Sequence, residues 1–472
     1  MKNVTVILSL VVMSSLTAAT IDWRRQGGNF SSASPQTEWS ASNRVVWSSE
    51  MPKWSNGTPL IIGEKIIVTA EPDIVLCIGK DGKILWQKSA SYDGIMTAEE
   101  REKLPEDRAG AEPFEKELKA LTRALAKKRQ EIIAKDKAAK ANPDDEEKKK
   151  ALADARSEIP ALNEKIAACK ANLDGFPLAA KYRMPEAHPA NGYTSNTPAF
   201  DGTNIYILFG SGVGASFTLD GVQRWIRLID KTVNEWGQSG SPVIAGGSLI
   251  VQFTNMFALD LSSGAVKWRS PHVHYWGTPA VVRTGGIDVL FTDGGEIVSA
   301  LDGKTLSTNG LRSEFGSPLA IGNIVYVASA DHAAAFSIEV NAGVITPVKL
   351  WQTGVAKERY YATPLIHDGL MYIINQTSVF TVLDAATGEK CYEQKLSGMG
   401  ATIFPSPVIA GNVVIVSSEN GRSAILAPGR EYKELARAAI DPFRSTPVCD
   451  GARMYIRCAN EKGVSRLYCI GE

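Results

Sequence analysis

The residue types that most directly suggest chemistry are two histidines and a set of aromatic side chains. His272 and His274 are separated by one residue, so a β-strand would place both imidazole rings on one face. Such a pair could supply half of a metal site, but the sequence offers no third ligand at a recognisable spacing. It also offers no Ser/His/Asp or Cys/His arrangement and no glycine-rich phosphate loop. We therefore assign no catalytic residue and expect no metal site.

An aromatic residue precedes each of eight Ser-Pro or Thr-Pro dipeptides by a few positions. These residues are Trp54, Tyr193, Trp236, Trp276, Phe315, Tyr361, Phe404 and Phe443. Apolar surface interrupted by a few polar groups is typical of a site for a small molecule or a peptide. The predicted ligand-binding residues are Trp236, Trp276, Tyr361, Arg359, Phe315, Glu235, His272, His274 and Arg444. The alternative is that the rings pack between neighbouring sheets.

The Ser-Pro and Thr-Pro dipeptides mark internal repeats, and these repeats must position the aromatic residues. They begin at Thr58, Thr197, Ser241, Thr278, Ser317, Thr363, Ser406 and Thr446. Each begins a pair of short apolar strands joined by a Gly-containing turn. Eight repeats over about 355 residues give roughly 44 residues each, the size of a four-stranded propeller blade.

The repeats predict an all-β chain, an eight-bladed β-propeller, with seven blades as the alternative if the weak fourth repeat is misread. Most repeats continue with a strand near a Leu-Asp pair and a fourth strand that closes on an aromatic residue. The closing residues are Trp86, Trp225, Trp268, Trp351 and Tyr392. The last repeat stops before its fourth strand, and residues 44–47 have the missing pattern. We therefore expect the N-terminal strand to complete the last sheet and to close the ring around a central channel.

At these residues the sequence resembles the PQQ-like repeat β-propellers, through the Ser/Thr-Pro start, the Leu-Asp pair, the Gly turn and the closing Trp. The opening at residues 22–29 is similar to that of secreted bacterial members. The resemblance implies one of two functions. Quinoprotein dehydrogenases bind pyrroloquinoline quinone (PQQ) and Ca²⁺, whereas scaffolds of the BamB type bind partners without a cofactor.

The sequence differs from both branches in specific residues. Its six cysteines include no adjacent pair and no Cys-x-x-Cys-His haem motif, and no Ca²⁺ ligand set can be chosen from it. It also has no cysteine after the leader to carry a lipid anchor, since the first is Cys77. We therefore expect a non-catalytic protein that binds a protein or an extracellular ligand. The alternative is a PQQ- and Ca²⁺-dependent dehydrogenase that acts on an alcohol or a sugar.

The N-terminus has the pattern of a cleaved signal peptide over residues 1–19, with an apolar stretch too short to span a bilayer. This pattern predicts a periplasmic or secreted protein without a transmembrane segment. The chain carries 51 basic and 51 acidic residues, so its net charge is zero. A general nucleic-acid binder would show a basic excess. The expected domains are residues 1–19, 20–92 with the closing strand and first blade, 93–190, and 191–472 with seven blades.

Residues 93–190 form a highly charged insertion after the first blade. Apolar residues recur at spacings of 3 and 4 from Leu152 to Leu173, which predicts a coiled-coil seam. Asn142 and Pro143 predict the start of the second of two antiparallel helices of ~30 residues each. This α-helical hairpin could contact a protein partner or a second copy of the chain, or it could be a solvated insertion. Pro160 conflicts with a straight second helix.

The cysteines are expected to be buried thiols rather than a disulfide framework. Cys77 and Cys469 occupy equivalent repeat positions where other repeats have Ala. Cys458 and Cys469 flank one hairpin, and export would permit a disulfide between them. The sequence leaves that pairing open, because strand alternation does not determine their separation.

Overall fold

The computed structural model describes residues 24–271, 276–341, 343–460 and 462–472. The chain divides into two compact units, one of Met1–Ser91 with Pro185–Glu472 and the other of Tyr92–Met184. The first unit is built mainly of β-strands and the second of helices. Within the described ranges, no helix is both long enough and apolar enough to cross a bilayer. The predicted signal peptide, residues 1–19, lies outside the described residues.

The described residues of the first unit form eight sheets, seven with four strands and one with five. The N-terminal elements are α1 (Arg25–Gly28), β1 (Asn29–Phe30) and β2 (Val45–Glu50). Sheet 1 contains β3 (Leu60–Ile62), β4 (Lys65–Ala70), β5 (Ile74–Gly79) and β6 (Ile84–Ser89). Sheet 2 contains β7 (Ala199–Phe200), β8 (Asn204–Leu208), β9 (Val213–Thr218) and β10 (Gln223–Leu228). Sheet 3 contains β11 (Val243–Ala245), β12 (Ser248–Gln252), β13 (Asn255–Leu259) and β14 (Val266–Pro271).

The remaining sheets follow in chain order and are also antiparallel between consecutive strands. Sheet 4 contains β15 (Ala280–Thr284), β16 (Ile287–Phe291), β17 (Ile297–Ser299) and β18 (Thr305–Ser307). Sheet 5 contains β19 (Leu319–Ile321), β20 (Ile324–Ala328), β21 (His332–Asn341) and β22 (Val344–Gly354). Sheet 6 contains β23 (Leu365–His367), β24 (Leu370–Ile374), β25 (Val379–Asp384) and β26 (Lys390–Lys395). Sheet 7 contains β27 (Val408–Ala410), β28 (Val413–Ser417), β29 (Arg422–Leu426), β30 (Glu434–Ala439) and β1. Sheet 8 contains β31 (Val448–Asp450), β32 (Arg453–Ala459), β33 (Ser465–Ile470) and β2.

The hydrophobic core lies between successive sheets rather than at one centre. One cluster joins Tyr455 and Val448 of sheet 8 to Ile66 and Ile78 of sheet 1. Others join sheets 2 and 3, 3 and 4, 4 and 5, 5 and 6, 6 and 7, and 7 and 8. The second and third strands are therefore covered on both faces, which explains why they are continuous apolar runs in the sequence.

Hydrogen bonds between the Ser-Pro and Thr-Pro steps connect the first strands of successive sheets. In seven of the eight steps, the backbone N–H before a proline donates to the Ser or Thr hydroxyl of the next sheet. The donor and acceptor residues are Thr58 to Thr197, Thr197 to Ser241, Ser241 to Thr278, Thr278 to Ser317, Thr363 to Ser406, Ser406 to Thr446, and Thr446 to Thr58, at 2.9–3.2 Å. The last of these bonds returns from sheet 8 to sheet 1.

Two N-terminal segments pack on the last sheets. Strand β2 pairs antiparallel with β33, as predicted from residues 44–47, and supplies the fourth strand of sheet 8. Strand β1 pairs parallel with β27, the first strand of sheet 7. Just before it, Arg24 Nη2 donates to the carbonyls of Pro364 at 2.9 Å and Pro407 at 3.1 Å. Residues 24–30 therefore pack across the first strands of sheets 6 and 7, a contact that the sequence analysis did not predict.

Five tryptophans join one sheet to the next, and we call them the docked tryptophans. They are Trp47, Trp86, Trp225, Trp268 and Trp351. Each indole Nε1 donates to a backbone carbonyl of the following sheet, that of Lys80, Leu219, Leu261, Ala300 and Ala385 respectively, at 2.8–3.1 Å. Each ring also covers a turn glycine with positive φ in that sheet. A Cβ on Gly264, with φ +68°, would lie 2.6 Å from Trp225 Cε3.

The second unit contains a 3₁₀ turn (Tyr92–Gly94), α2 (Ala98–Ala141), α3 (Glu146–Leu173) and α4 (Pro177–Lys181). Helices α2 and α3 contact each other along their length. Cys169 Sγ lies 3.0 Å from the Phe114 carbonyl oxygen, Lys128 forms an ion pair with Glu158 at 2.9 Å, and Arg156 forms one with Asp136 at 2.9 Å. Residues near the start of α2 thus meet residues near the end of α3.

The helix boundaries differ from those predicted. Helix α3 begins at Glu146, because the Asp145 carboxylate accepts the Lys148 N–H at 3.1 Å and caps it. Asn142 ends α2 instead of capping α3. Helix α2 spans 44 residues rather than ~30, since it starts with a Thr97–Glu100 capping box and continues through Pro105 and Pro113. Helix α3 likewise continues through Pro160.

The structure contains free thiols only. All six cysteines are unpaired, and Cys77 and Cys469 are both fully buried. Cys458 lies opposite Arg466 in the β32–β33 ladder, while Cys469 lies opposite Tyr455. The two cysteines considered for a disulfide are therefore not cross-strand neighbours.

Candidate functional site

A cavity of about 470 Å³ lies where the segments before the eight Ser-Pro and Thr-Pro steps meet. Its lining includes the Ser or Thr of all eight steps, namely Thr58, Thr197, Ser241, Thr278, Ser317, Thr363, Ser406 and Thr446. Because the hydrogen bonds described above hold these residues together, every sheet of the first unit contributes to the floor of the cavity. We refer to these eight side chains as the hydroxyl floor.

Four aromatic side chains form a continuous row along one side of the cavity, and we call them the aromatic arc. They are Trp276, Phe315, Tyr361 and Phe404. The Trp276 and Phe315 rings are stacked, with centroids 5.6 Å apart and planes 14° apart. Tyr361 contacts Phe315 edge-on at 5.4 Å and Phe404 at 4.9 Å. Each ring comes from a different inter-sheet segment, so the repeat itself builds the row.

Two arginines lie against the aromatic arc. Arg359 holds its guanidinium 5.3 Å from the Phe315 centroid and donates to the Tyr361 hydroxyl at 3.2 Å. Arg444 lies 5.6 Å from the Phe404 centroid and donates to Glu419 Oε2 at 2.9 Å and to the Ala190 carbonyl at 3.0 Å. A cation over a ring face is attracted by the ring quadrupole, so the arc helps to hold both charges at the cavity.

The opposite side of the cavity is more polar. Trp236, half exposed, stacks on His188 with centroids 4.1 Å apart and planes 18° apart. The Asn191 amide donates to the Trp236 carbonyl at 2.8 Å, and the Asn56 amide donates to the Ala190 carbonyl at 2.8 Å. His188 Nδ1 accepts the Ala190 N–H at 3.2 Å, so that nitrogen is not free to accept a proton from a substrate.

The hydroxyl floor has unused donor capacity. Seven of its hydroxyl oxygens accept a backbone N–H from the preceding sheet. A hydroxyl can also donate one hydrogen bond of its own. Seven of the eight residues are at least nine-tenths buried, and they lie at the cavity surface. Each of these seven hydroxyls therefore keeps its own proton and a second lone pair for a further hydrogen bond.

Six of the predicted ligand-binding residues line this cavity: Trp236, Trp276, Phe315, Arg359, Tyr361 and Arg444. Glu235 does not; its side chain is exposed outside the lining because the turn before sheet 3 directs only Trp236 inward. His272 and His274 lie outside the described residues. Whether the six bind a ligand remains a prediction.

Three of the eight repeated aromatic residues do not reach the cavity. Phe443 is fully buried in the core between sheets 7 and 8. Tyr193 donates its hydroxyl to the Pro185 carbonyl at 2.8 Å, and Trp54 packs beside Gly192. Phe443 therefore packs between neighbouring sheets, as in the alternative prediction, whereas Tyr193 and Trp54 contact residues of the segment before sheet 2. His188, Asn56 and Asn191 were missed, because they do not belong to the repeated pattern.

The described lining does not fit a Ca²⁺ ion beside a quinone. Calcium takes six to eight oxygen ligands, usually with several carboxylates. Among the described residues, no Asp or Glu lines the cavity, and no cluster of three or more His, Cys, Asp or Glu could hold a metal ion. Glu419, just outside, is bound to Arg444. We derive no chemical step through either group.

The comparisons with known proteins agree with this architecture. Residues 252–471 match the family model described as outer membrane protein assembly factor BamB. The crystal structure of BamB from Moraxella catarrhalis is similar over 91% of this chain and 99% of that one, with a TM-score of 0.54 and 13% identity. The resemblance to the PQQ-like repeat β-propellers is confirmed.

The propeller is also similar to quinohemoprotein alcohol dehydrogenases. The enzyme ADHIIG from Pseudomonas putida HK5 matches with a TM-score of 0.50 and 9% identity, over 93% of this chain and 78% of that one. The enzyme from Comamonas testosteroni matches with a TM-score of 0.51 and 10% identity, over 95% and 80%. At these identities the likeness establishes the fold alone. The comparison with curated proteins gave no match.

Proposed function

We propose that this protein is an exported, eight-bladed β-propeller that binds a protein or extracellular ligand in its central cavity and catalyses no reaction. The hydrogen bonds that run through the hydroxyl floor and return to sheet 1 support eight blades in a closed ring. The pairing of β2 with β33 supports the same closure. The description of the matching family as an outer membrane protein assembly factor supports a binding role outside the cytoplasm.

The observation that carries the proposal is the composition of the cavity. Its described lining combines four contacting aromatic rings with two arginines and a floor of hydroxyls. General acid–base catalysis needs a positioned proton donor or acceptor with a suitable pKa. His188 is the lining residue closest to that role, and its Nδ1 already accepts a backbone N–H. Flat apolar surface with few fixed polar groups is instead suited to holding a ligand.

The helices of the second unit provide a second candidate interaction surface. The contacts between α2 and α3 support an antiparallel hairpin. Ile133 on α2 is 61% exposed among charged neighbours. We propose that this hairpin contacts a protein partner or a second copy of the chain. An Ile133→Asp variant should then lose the partner or dimer while its cavity still binds ligand.

The test compares capture by two forms of the protein from a cell-envelope extract. The immobilised wild-type protein should retain specific envelope proteins that a Tyr361→Ala/Phe404→Ala double variant does not retain. The two proteins should melt at similar temperatures, so that the loss is not a folding defect. In parallel, the purified protein is titrated with PQQ in the presence of Ca²⁺. We expect no change in melting temperature, because no described carboxylate lines the cavity.

The opposite result would identify a dehydrogenase. Stoichiometric PQQ binding at micromolar concentration would raise the melting temperature through linkage. If the loaded protein then reduced a dye with an alcohol or sugar, the non-catalytic proposal would be wrong.

A further inference from the structure

One side of α2 packs against the other helices of the second unit, and the opposite side faces solvent. The packed side follows spacings of 3 and 4 and includes Leu104, Ala111 and Leu125, the buried residues of the helix. Charged residues beside this seam find partners on neighbouring helices, as Glu100 does with Lys181 at 2.6 Å. The residues on the side away from the seam are all exposed.

Ten charged residues lie on this solvent-facing side of α2, and their signs are separated along the helix. We call this side the outward face. Up to residue 113 its charged residues are all acidic: Glu99, Glu102, Glu106 and Glu112. From residue 114 onward they are all basic: Lys116, Lys119, Arg123, Lys127, Lys137 and Lys140. The outward face therefore has an acidic part and a basic part on one continuous helical surface.

Most of these charges have no opposite charge beside them in the structure. Three outward residues form ion pairs along α2 itself, at 2.6–2.7 Å: Glu99 with Lys103, Glu112 with Lys116 and Lys140 with Asp136. Among the described residues, no ion pair reaches the other six, which are Glu102, Glu106, Lys119, Arg123, Lys127 and Lys137. Both signs are thus available to a partner.

We propose that the outward face of α2 binds the same face of α2 in a second copy of the chain, with the two helices antiparallel. A two-fold interface uses one surface twice, so that surface must complement itself. An antiparallel pair places each acidic part against a basic part, whereas a parallel pair would place like charges together. This inference rests on the contact role proposed for the hairpin, and it adds the partner and the geometry.

The position of the sign change indicates how the two helices overlap. It falls between Glu112 and Lys116, so this point must lie close to the two-fold axis if both parts are to be matched. That condition is met when Ala109 of one helix faces Ala120 of the other, because these two residues are equally far from the axis. Both are exposed, and such small side chains let helix axes approach to about 8 Å.

In this register the charges that lack ion pairs meet each other. Glu106 faces Arg123 and Glu102 faces Lys127, and the two-fold symmetry repeats both pairs. Residues 98–131 of the two helices then overlap, over about 50 Å at ~1.5 Å per residue. Ile133 lies at the end of the overlap, where its exposed side chain meets the first turn of the second helix.

The first test measures the oligomeric state of the purified protein by sedimentation velocity. We expect a dimer at about 50 μM in low salt, and dissociation about tenfold stronger at about 0.5 M NaCl, because salt screens exposed charge pairs. A protein that stays monomeric in low salt would overturn the inference.

Charge reversal connects the dimer to the outward face. Glu102→Lys/Glu106→Lys places like charges opposite each other four times and should weaken the dimer at least about tenfold. Asp154→Lys/Glu164→Lys is the matched control, since it makes the same change in net charge at exposed residues of α3. Equal dissociation constants for the two variants would show that the outward face is not the interface.

A second exchange guards against a folding defect. Adding Arg123→Glu/Lys127→Glu to the reversed variant swaps both signs at every predicted pair, so the dimer should return to within about threefold of the wild type. A dimer that stays weak, in a variant with the wild-type melting temperature, would contradict the proposed pairing.

Cross-linking tests the antiparallel register. An Ala109→Cys protein mixed with an Ala120→Cys protein should form disulfide-linked dimers on mild oxidation, beyond the background of the wild-type chain. Ala109→Cys alone should not, because its two copies would lie about 16 Å apart along the axis, too far for a disulfide. Efficient linking of Ala109→Cys to itself would instead indicate a parallel pair.

The remaining outcomes separate this inference from the proposed function. A monomer that sediments with phosphatidylglycerol vesicles, and loses them in Arg123→Glu/Lys127→Glu, would assign the basic part to an anionic membrane surface and reject the dimer. A monomer from which Ile133→Asp removes envelope proteins would keep the hairpin as a contact for another protein, and only the present inference would fall. Capture through the cavity is tested independently by the Tyr361→Ala/Phe404→Ala variant.

Discussion

Aromatic side chains occupy two different places in the repeats. The two places differ in whether the side chain has all its contacts within the fold. At the sheet joints, the docked tryptophans donate Nε1 to a carbonyl of the next sheet and cover a turn glycine. At the cavity, the rings of the aromatic arc contact one another and leave surface facing open space. The first set has its partners within the fold, whereas the second set has room for a partner from outside.

This difference separates stability from binding. A buried aromatic residue with its polar atom bonded contributes packing and a hydrogen bond, so its removal should weaken the fold. A ring at the edge of a cavity buries less surface in the free protein and gains burial when a ligand arrives. Substitutions at the sheet joints should therefore mainly lower the free energy of unfolding, whereas substitutions in the aromatic arc should mainly lower ligand affinity.

The largest effect is expected at a docked tryptophan. Trp225 is 5% exposed and donates to the Leu261 carbonyl at 2.9 Å. Trp225→Ala leaves a cavity and an unpaired carbonyl, so the free energy of unfolding should fall by about 3–5 kcal/mol in urea titration. Trp276→Ala is the control, with an expected loss of about 1 kcal/mol or less. Equal losses for the two variants would contradict the distinction.

The next effect is expected at the glycine beneath that ring. Gly264→Ala introduces a Cβ at 2.6 Å from Trp225 Cε3, at φ +68°. Gly247→Ala has nearly the same φ, +66°, with no atom within 4 Å. Both should lose about 1 kcal/mol from the left-handed backbone, and Gly264→Ala should lose at least a further ~1 kcal/mol through the clash.

Thermal or urea unfolding of these two glycine variants separates the contribution of the ring contact from that of the backbone conformation. If Gly247→Ala were as unstable as Gly264→Ala, the left-handed backbone alone would explain the glycine at position 264, and the contact with Trp225 would contribute nothing measurable.

A smaller change in free energy, visible in binding, is expected within the aromatic arc. Tyr361 contacts both Phe315 and Phe404, so Tyr361→Ala interrupts the row at its middle. Retention of envelope proteins by the immobilised protein should fall by about tenfold, because the ligand loses this ring surface. The midpoint of urea unfolding should change little. Unchanged retention would instead show that the ligand does not contact the Tyr361 ring.

The sequence predicted the repeat well and the exceptions to it poorly. The Ser/Thr-Pro steps and the pattern at residues 44–47 correctly indicated the sheets and the β2–β33 pairing, because strand alternation and turns are local signals. The three aromatic residues that turn away from the cavity stand three or four positions before the Ser or Thr of their step, whereas the four residues of the aromatic arc stand two positions before it. That difference of one or two positions is a local signal that the sequence analysis did not use. Trp236, five positions before Ser241, also lines the cavity and stacks on His188, a contact that spacing does not encode.

The helical unit shows the same limit. Apolar spacing predicted the α2–α3 seam, but the choice between Asn142 and Asp145 as the cap depended on which side chain reaches an N–H three residues on. The packing of residues 24–30 on sheets 6 and 7 joins positions more than 300 apart in sequence. Single-sequence patterns carry no information on such a pairing.

The smallest effect is expected from removing a single atom of the aromatic arc, the Tyr361 hydroxyl oxygen. Tyr361→Phe keeps the ring and removes only the oxygen that accepts from Arg359 Nη1. Arg359 would then keep its charge and its contact with Phe315 but lose one restraint on its position. We expect retention of envelope proteins to fall about threefold in the same capture assay, because a less restrained guanidinium loses more side-chain entropy on binding. Unchanged retention would mean that the Phe315 contact alone positions the guanidinium. A loss as large as that of Tyr361→Ala would mean that the Tyr361 hydroxyl itself binds the ligand.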